Sequence, residues 1–269
     1  MRQLVWREVA GRYRGATLGM VWSLLNPLLM LASYTFVFST VLKAKWAPPS
    51  APVPSPGAGP AAAVVPAAGS NTEFAIILFI GLIIFGIFAE VINRAPSLVL
   101  SNGHYVKRIV FPLETFVPVA MGTALFHAAI SLVVLFAFML FEHGGLPLTA
   151  LWLPIILAPF VLLTMGLGWL FASLGVYLRD ISQLMPSIMN MLMFMSPIFI
   201  PSSSLPDWIR PWLYLNPVTV PVEQARNVLF WHQAPDVTML LLYTAAAIVI
   251  AVFGFEWFDK TRKGFADVI

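Results

Sequence analysis

An all-α integral membrane protein with six transmembrane helices is the fold class this sequence predicts, and three observations predict it. Of 269 residues, 59% are hydrophobic and only 10% are charged, where a soluble domain carries about 25%. The mean hydropathy is +0.87. The apolar residues also fall in continuous runs rather than in alternation, which excludes a transmembrane barrel. A backbone in lipid must satisfy its own hydrogen bonds, so the runs are helices.

The N-terminal segment, 1–17, comes first. In "LVWREVAGRYRGATLGMVW", Leu4, Val5 and Val9 supply apolar positions, and Arg7, Glu8, Arg12 and Arg14 supply charge. This predicts an amphipathic helix lying along a membrane face. Charge stands where a cleavable signal peptide would need its apolar core. Gly11, Gly15 and Gly19 recur every four residues, a spacing that permits close helix approach. The arginines have two readings. They anchor the helix on the positive-inside rule, or they recognise a phosphate on a lipid or substrate headgroup, because guanidinium forks match phosphate oxygens.

A span needs about 20 mostly apolar residues. Six stretches supply one: 18–42, 74–100, 113–141, 151–177, 181–200 and 237–258. The first carries Tyr34, Phe36 and Phe38, and the fifth carries Met185, Met189, Met191, Met193 and Met195. Both sets read as helix packing, or as the wall of a channel. In the second, Glu90 and Arg94 stand at i, i+4 in the favourable acid-first order. A charge inside a span costs about 2.5–3.5 kcal/mol. The two are therefore expected to face protein or water and to pair with each other, as a structural ion pair or as a polar patch lining a conduit. His127, inside the third, reads as a hydrogen-bonded packing residue.

The connections differ in kind. Residues 47–71, "APPSAPVPSPGAGPAAAVVPAAGSN", are rich in Pro and Ala and carry no charge, so a disordered outer loop is expected. Residues 101–114, "SNGHYVKRIVFPLE", form a short basic island. As a helix over 103–111, Tyr105 stacks on Ile109 and Val106 on Val110, and Pro112 closes it. Such a helix suits docking of a soluble partner, with His104, Tyr105, Lys107 and Arg108 as its contacts. The plainer reading is a positively charged loop. Residues 201–236 are too polar and Pro-broken to span. Short helices lying in the interface are expected at 207–210 and 222–230. Trp208, Trp212, Tyr214 and Trp231 suit an aromatic belt or a gate lining an exit site.

Topology follows from Lys and Arg. With the N-terminus in the cytoplasm, the inner side holds Arg2, Arg7, Arg12, Arg14, Lys107, Arg108, Arg179, Lys260, Arg262 and Lys263, ten in all. The outer side holds Lys43, Lys45, Arg210 and Arg226, four in all. The imbalance predicts both termini inside. In this setting a charge of +3 reflects topology and does not indicate nucleic acid. There is no cysteine, and His104, His127, His143 and His232 lack metal-ligand spacing. No GxxxxGK[ST] loop is present, so ATP is not bound by that route, and neither HExxH nor GxSxG occurs.

Four segments carry a family resemblance: "REVAGRYRGATLGMVWSLLNPLL", "NRAPSLVLSNGHYVKRIVFPLE", "LRDISQLMPSIMNMLMFMSPIF" and "LNPVTVPVEQARNVLF". In this order they resemble the interface helix, coupling-helix region, fifth-span entry and outer re-entrant segment of the membrane subunit of type-2 ABC exporters for polysaccharides, the O-antigen and teichoic-acid export permeases. The tract 47–71 departs from the pattern and bears on the outer surface rather than the fold. The resemblance implies a homodimer around a central tunnel in the bacterial inner membrane. It implies two ATPase subunits, holding ATP and Mg, on a coupling helix at 102–112, and gate helices within 201–236. It also implies a polyprenyl-pyrophosphate-linked glycan, O-antigen rather than capsule, driven outward. By position, Arg7, Arg12 and Arg14 would sit near the entering pyrophosphate. Tyr34, Phe38, Trp208, Trp212 and Tyr214 would sit near the exit, with Glu90 and Arg94 along the path. A rival of another class is a stand-alone lipid-carrier enzyme or flippase without an ATPase.

Overall fold

The computed structural model describes residues 2–37, 71–103, 112–199, 202, 206, 208 and 210–268. Its helices are α1 (Arg2–Tyr13), α2 (Trp22–Tyr34), α3 (Asn71–Leu98), α4 (Phe116–His143), α5 (Leu153–Tyr177), α6 (Ile181–Phe194), α7 (Arg210–Leu213), α8 (Thr219–Leu229), α9 (Val237–Thr261) and α10 (Phe265–Val268). The described residues contain no strand. The all-α expectation is met.

Among the described residues, five helical stretches are long and apolar enough to cross a membrane: Gly19–Val37, Thr72–Leu98, Leu113–Glu142, Leu148–Tyr177 and Val237–Gly264. The sixth expected span differs. The run at 181–200 forms α6, whose 14 residues rise about 21 Å, short of the ~30 Å hydrocarbon layer. Ser196 and Pro197 are the reason. Pro has no N–H and disfavours helix at the residue before it. The Ser196 hydroxyl turns back onto the Leu192 carbonyl at 2.6 Å instead.

α3 is the axis of the bundle. Every residue from 74 to 85 is buried, as expected of a helix apolar on all sides, and α2, α4, α5, α6 and α8 pack around it. Phe88 on α3 meets Phe160 on α5, and Pro96 meets Gly175, so these two helices run parallel. α4 runs antiparallel to α3, with Thr72 bonded to Glu142 and Glu90 to His127. α9 runs parallel to α5. A Cβ on Gly254 would lie 2.0 Å from the Gly166 carbonyl oxygen, and one on Gly166 would lie 2.6 Å from the Ala251 Cα. Only bare backbone allows this crossing. Among the described residues of this chain, the N-terminal glycines whose spacing permits close helix approach meet no neighbouring helix. A Cβ on Gly11, Gly15 or Gly19 would meet nothing within 4 Å. Gly15 and Gly19 instead have φ of +91° and +50°, and they turn the chain from α1 into α2 where other residues would be strained.

These directions gather α1, the ends of α3, α5 and α9, and the start of α4 at one end of the bundle, the near end. Gly103 and Pro112, which flank the undescribed residues 104–111, lie there as well. Leu98, Val117, Trp169, Phe258 and Phe265 form a second core beneath them. Arg262 ties its edge, 3.0 Å from Glu114 and 3.0 Å from Asp259.

At the far end, the helix expected at 222–230 exists as α8, and protein covers it rather than leaving it bare. Thr219, Val220, Pro221, Val222, Gln224, Ala225, Arg226, Val228 and Leu229 are all buried. Gln224 and Arg226 are tolerated there because protein covers them and supplies their partners. Of the 207–210 expectation, Asp207 and Ile209 lie outside the described residues, and the helix that follows is α7.

Candidate functional site

α1 docks across α3 and α4 at the near end through one face. Val9 is fully covered, and Val5 fills the space above Gly122 on α4. Trp6 meets Phe126 edge to face at 6.4 Å. The same face carries Glu8 and Arg12, one turn apart, opposite Arg94 and Glu90 of α3. Arg94 Nη2 donates to Glu8, and Arg12 Nη1 lies 2.7 Å from Glu90 Oε1. The expected partnership of Glu90 with Arg94 is the weak edge of this square, at 3.9 Å. Both groups find better partners on α1, which sequence spacing within α3 could not reveal. Four alternating charges at the end of a span neutralise one another, which offsets the cost of having them there.

His127 completes the seam from α4. Its Nδ1 lies 2.9 Å from Glu90 Oε2, and its Nε2 lies 3.1 Å from the Tyr13 hydroxyl. A proton on Nδ1 would donate to Glu90, and Nε2 would then accept from Tyr13. Arg12, 3.2 Å from Nδ1, then serves Glu90 alone. Burial raises the Tyr13 phenol above its ordinary value, and the Glu90 carboxylate adds to the shift, so Tyr13 keeps the proton it donates. The expected hydrogen-bonded His127 is present.

Two cavities flank this seam. One of about 280 Å³ lies between Leu4, Arg7, Glu8, Arg94, Ser101 and Asn102. The other, about 150 Å³, lies between α2, α3 and α4 and reaches Glu90 and His127 from the apolar side. Arg7 faces the first cavity. Arg14 is exposed, and among the described residues neither Arg7 nor Arg14 makes an ion pair. Of the three headgroup candidates, only Arg12 is committed to a carboxylate.

The remaining candidates scatter. Tyr34 packs against the core. Trp208, Trp212 and Tyr214 are exposed at the far end, at 74%, 67% and 43%. Burial, and then the Glu223 carboxylate, push the Tyr214 phenol up. Phe38, His104, Tyr105, Lys107 and Arg108 lie outside the described residues, as does nearly all of 47–71 and of the 102–112 segment. Of the methionine series, Met185 and Met189 face the core, while Met191 and Met195 face outward.

Sequence reasoning missed Arg226, which it counted as an outer cation. Arg226 is 4% exposed, and its guanidinium reaches three backbone carbonyls. Nε donates to Ile77 at 3.1 Å, Nη2 to Ile198 at 2.9 Å, and Nη1 to Pro197. It thereby fastens the broken end of α6 to α3. Its segment reads as polar and Pro-broken, with Glu223, Gln224 and Asn227 beside it, so nothing in its spacing marks Arg226 as dry.

Comparisons with known proteins agree on one group. Residues 1–230 match the profile of the family described as ABC-2 type transporter. The O-antigen export system permease protein RfbA of Myxococcus xanthus is 23% identical over 99% of this chain and 94% of its own length. The protein of that name from Klebsiella pneumoniae is 24% identical over 98% of this chain and 92% of its own length. The polysialic acid transport protein KpsM of Escherichia coli is 24% identical over 93% of this chain and 89% of its own length.

Proposed function

Because the chain belongs to the ABC-2 type transporter family, we propose that it is the membrane subunit of an ATP-driven exporter that moves polysaccharide out of a bacterial cell. The observation that carries the reading is the end-to-end similarity to permeases named for O-antigen and polysialic acid transport. On this reading the substrate is a polyprenyl-pyrophosphate-linked glycan of O-antigen type, crossing the inner membrane. Two copies of the chain form the path.

The division of labour follows from what the chain carries. It has no phosphate loop, so two partner ATPases hold ATP and Mg, and this subunit is not itself an enzyme. Those partners dock on 102–112 through His104, Tyr105, Lys107 and Arg108. Near-end chemistry supports this placement. Arg2, Arg7, Arg12, Arg14, Arg179, Lys260, Arg262 and Lys263 gather at that end, which favours a cytoplasmic near end with both termini inside. The square of Glu8, Arg12, Glu90 and Arg94 holds α1 at the mouth of the bundle. Arg7 and Arg14 stay open to a phosphate there, with the exposed side of Arg12 between them. Phe38, Tyr34 and the aromatic residues Trp208, Trp212 and Tyr214 serve the exit.

Co-purification tests the reading. Solubilised protein should bring an ATPase with it, and the double substitution Lys107→Glu and Arg108→Glu should release that ATPase and stop export. Export that persists with no ATPase bound would instead support a stand-alone flippase. For the headgroup role, Arg14→Ala should lower export severalfold at normal protein levels, since Arg14 holds nothing else in place.

A further inference from the structure

A groove of about 670 Å³ opens at the far end, between the start of α3, the end of α4 and the turn after α8. Glu73, Met139, Pro147, Phe230, Trp231 and His232 line it. It lies within the range of sites that take small ligands. We propose that this groove binds a saccharide and is a contact site for the exported polymer as it emerges. The proposal rests on the polysaccharide-export reading for the identity of the ligand, and on the groove's own chemistry for its class.

That chemistry is aromatic side chains beside polar tips. Phe230 and Trp231 stand edge to face, 4.8 Å between centroids, and both border the groove while packing partly against the core. Sugar rings present apolar C–H faces that stack on such rings, and hydroxyl rims that need donors and acceptors. Glu73, Trp231 and His232 supply both. Among the described residues, none of their side chains makes a hydrogen bond or an ion pair. The groove therefore offers one carboxylate acceptor, one indole donor and one imidazole.

The wall is also built rather than incidental. The Arg226 carbonyl accepts from the amides of both Phe230 and Trp231, at 2.9 and 3.1 Å, and the Asn227 carbonyl accepts from Gln233 at 2.9 Å. Arg226 is itself clamped to α3, so the two rings stand on a rigid support. His232 has φ of +55° and is the one non-glycine residue with positive φ among the described residues. Such a conformation costs of order 1–3 kcal/mol and tends to mark functional sites. Here it turns the chain sharply enough for Trp231 and His232 to border one opening.

An oligosaccharide array tests the proposal directly. The intact chain, in lipid nanodiscs and fluorescently labelled, is applied to mannose-, galactose-, rhamnose- and N-acetylglucosamine-containing oligosaccharides. Wild-type protein should bind at least one of them. Trp231→Ala should weaken that binding at least tenfold, Trp231→Phe should keep it within about threefold, and Glu73→Gln should weaken it severalfold, with all variants eluting as wild type in size-exclusion chromatography. A silent array, or binding indifferent to Trp231→Ala, overturns the proposal. Measuring ATPase co-purification on the same preparations separates the two readings. A bound ATPase with a silent array removes the groove and keeps the exporter. Trp231-dependent binding without any ATPase keeps the groove and removes the exporter.

Discussion

The guanidinium of Arg226 gives up water on every side and receives three backbone carbonyls in return. Pro197 and Ile198 lie past the end of α6, where no helical amide reaches their carbonyls, and Ile77, inside α3 and one turn before Gly81, offers the second lone pair of its carbonyl. A Cβ on Gly81 would meet Arg226 Nη2 at 2.9 Å, so glycine leaves the room the clamp occupies. Arg226→Met keeps much of the volume but strands the carbonyls. Hydrogen bonds to a charged donor contribute about 1.5–3 kcal/mol each, so the variant should lose about 3 kcal/mol or more. A fall in the thermal midpoint of detergent-purified protein, with lower yield, measures it. Arg226→Lys should recover only part of the loss, because one ammonium cannot place donors on three carbonyls in a plane. A midpoint unchanged in both variants would show that the clamp carries no stability. This residue was hidden in the sequence for a physical reason. Charge counting treats every cation as solvated, and only the fold reveals that Arg226 is dry. Glu90, Arg94 and His127 were legible as polar residues in apolar runs, but their partners Glu8, Arg12 and Tyr13 lie more than 70 positions away.

Helices were read better than the contacts between them. Apolar length found α3, α4, α5 and α9 within a few residues, because a span's length is dictated by the bilayer. It overran α6, where Pro197 ends the helix, and it did not reveal that protein covers 222–230. Glycine spacing was the weakest guide, since periodic Gly occurs both where helices cross and where a chain turns. The two kinds separate on substitution. Gly254→Ala puts a methyl against the Gly166 backbone, which has no flexible side chain to move aside, and overpacking of this sort costs about 1–3 kcal/mol. Gly11→Ala adds a methyl in open space within α1 and should be neutral or gain about 0.5–1 kcal/mol of helix stability. Thermal unfolding of both variants decides, and equal effects would refute the distinction. The docking of α1 makes a second prediction at this scale. Arg94→Glu places three carboxylates together and should loosen α1, while Glu8→Arg with Arg94→Glu restores the cross-helix pair at 8 and 94 but leaves like charges one turn apart on each helix, so recovery should be partial. With side chains about 30% exposed, the coupling should be about 1 kcal/mol, read from a double-mutant cycle on thermal stability.

For the whole molecule the claim at stake is which end faces the cytoplasm. Helix directions fix which residues share an end: Arg14, Arg179 and Lys263 at the near end, Gly145 and Trp212 at the far end. They do not by themselves say which end is inside. The distribution of Lys and Arg supplies that step. The far-end count weakens as an argument against this orientation, because Arg226 is buried by protein and serves α6 rather than a membrane surface. The chain has no cysteine, so single cysteines can be introduced without a background. Lys263→Cys replaces an exposed near-end side chain. Gly145→Cys sits in an exposed turn where a Cβ meets nothing within 4 Å. In intact spheroplasts a membrane-impermeant maleimide should label Gly145→Cys and leave Lys263→Cys unlabelled, and permeabilisation should expose the second. Labelling of Lys263→Cys alone in intact spheroplasts would invert the protein. It would place the basic residues and the 102–112 segment outside, where no ATPase could reach them, and the export reading would fall with the orientation. Labelling in the expected order leaves the groove of Trp231 on the outer face, where an emerging polymer would meet it.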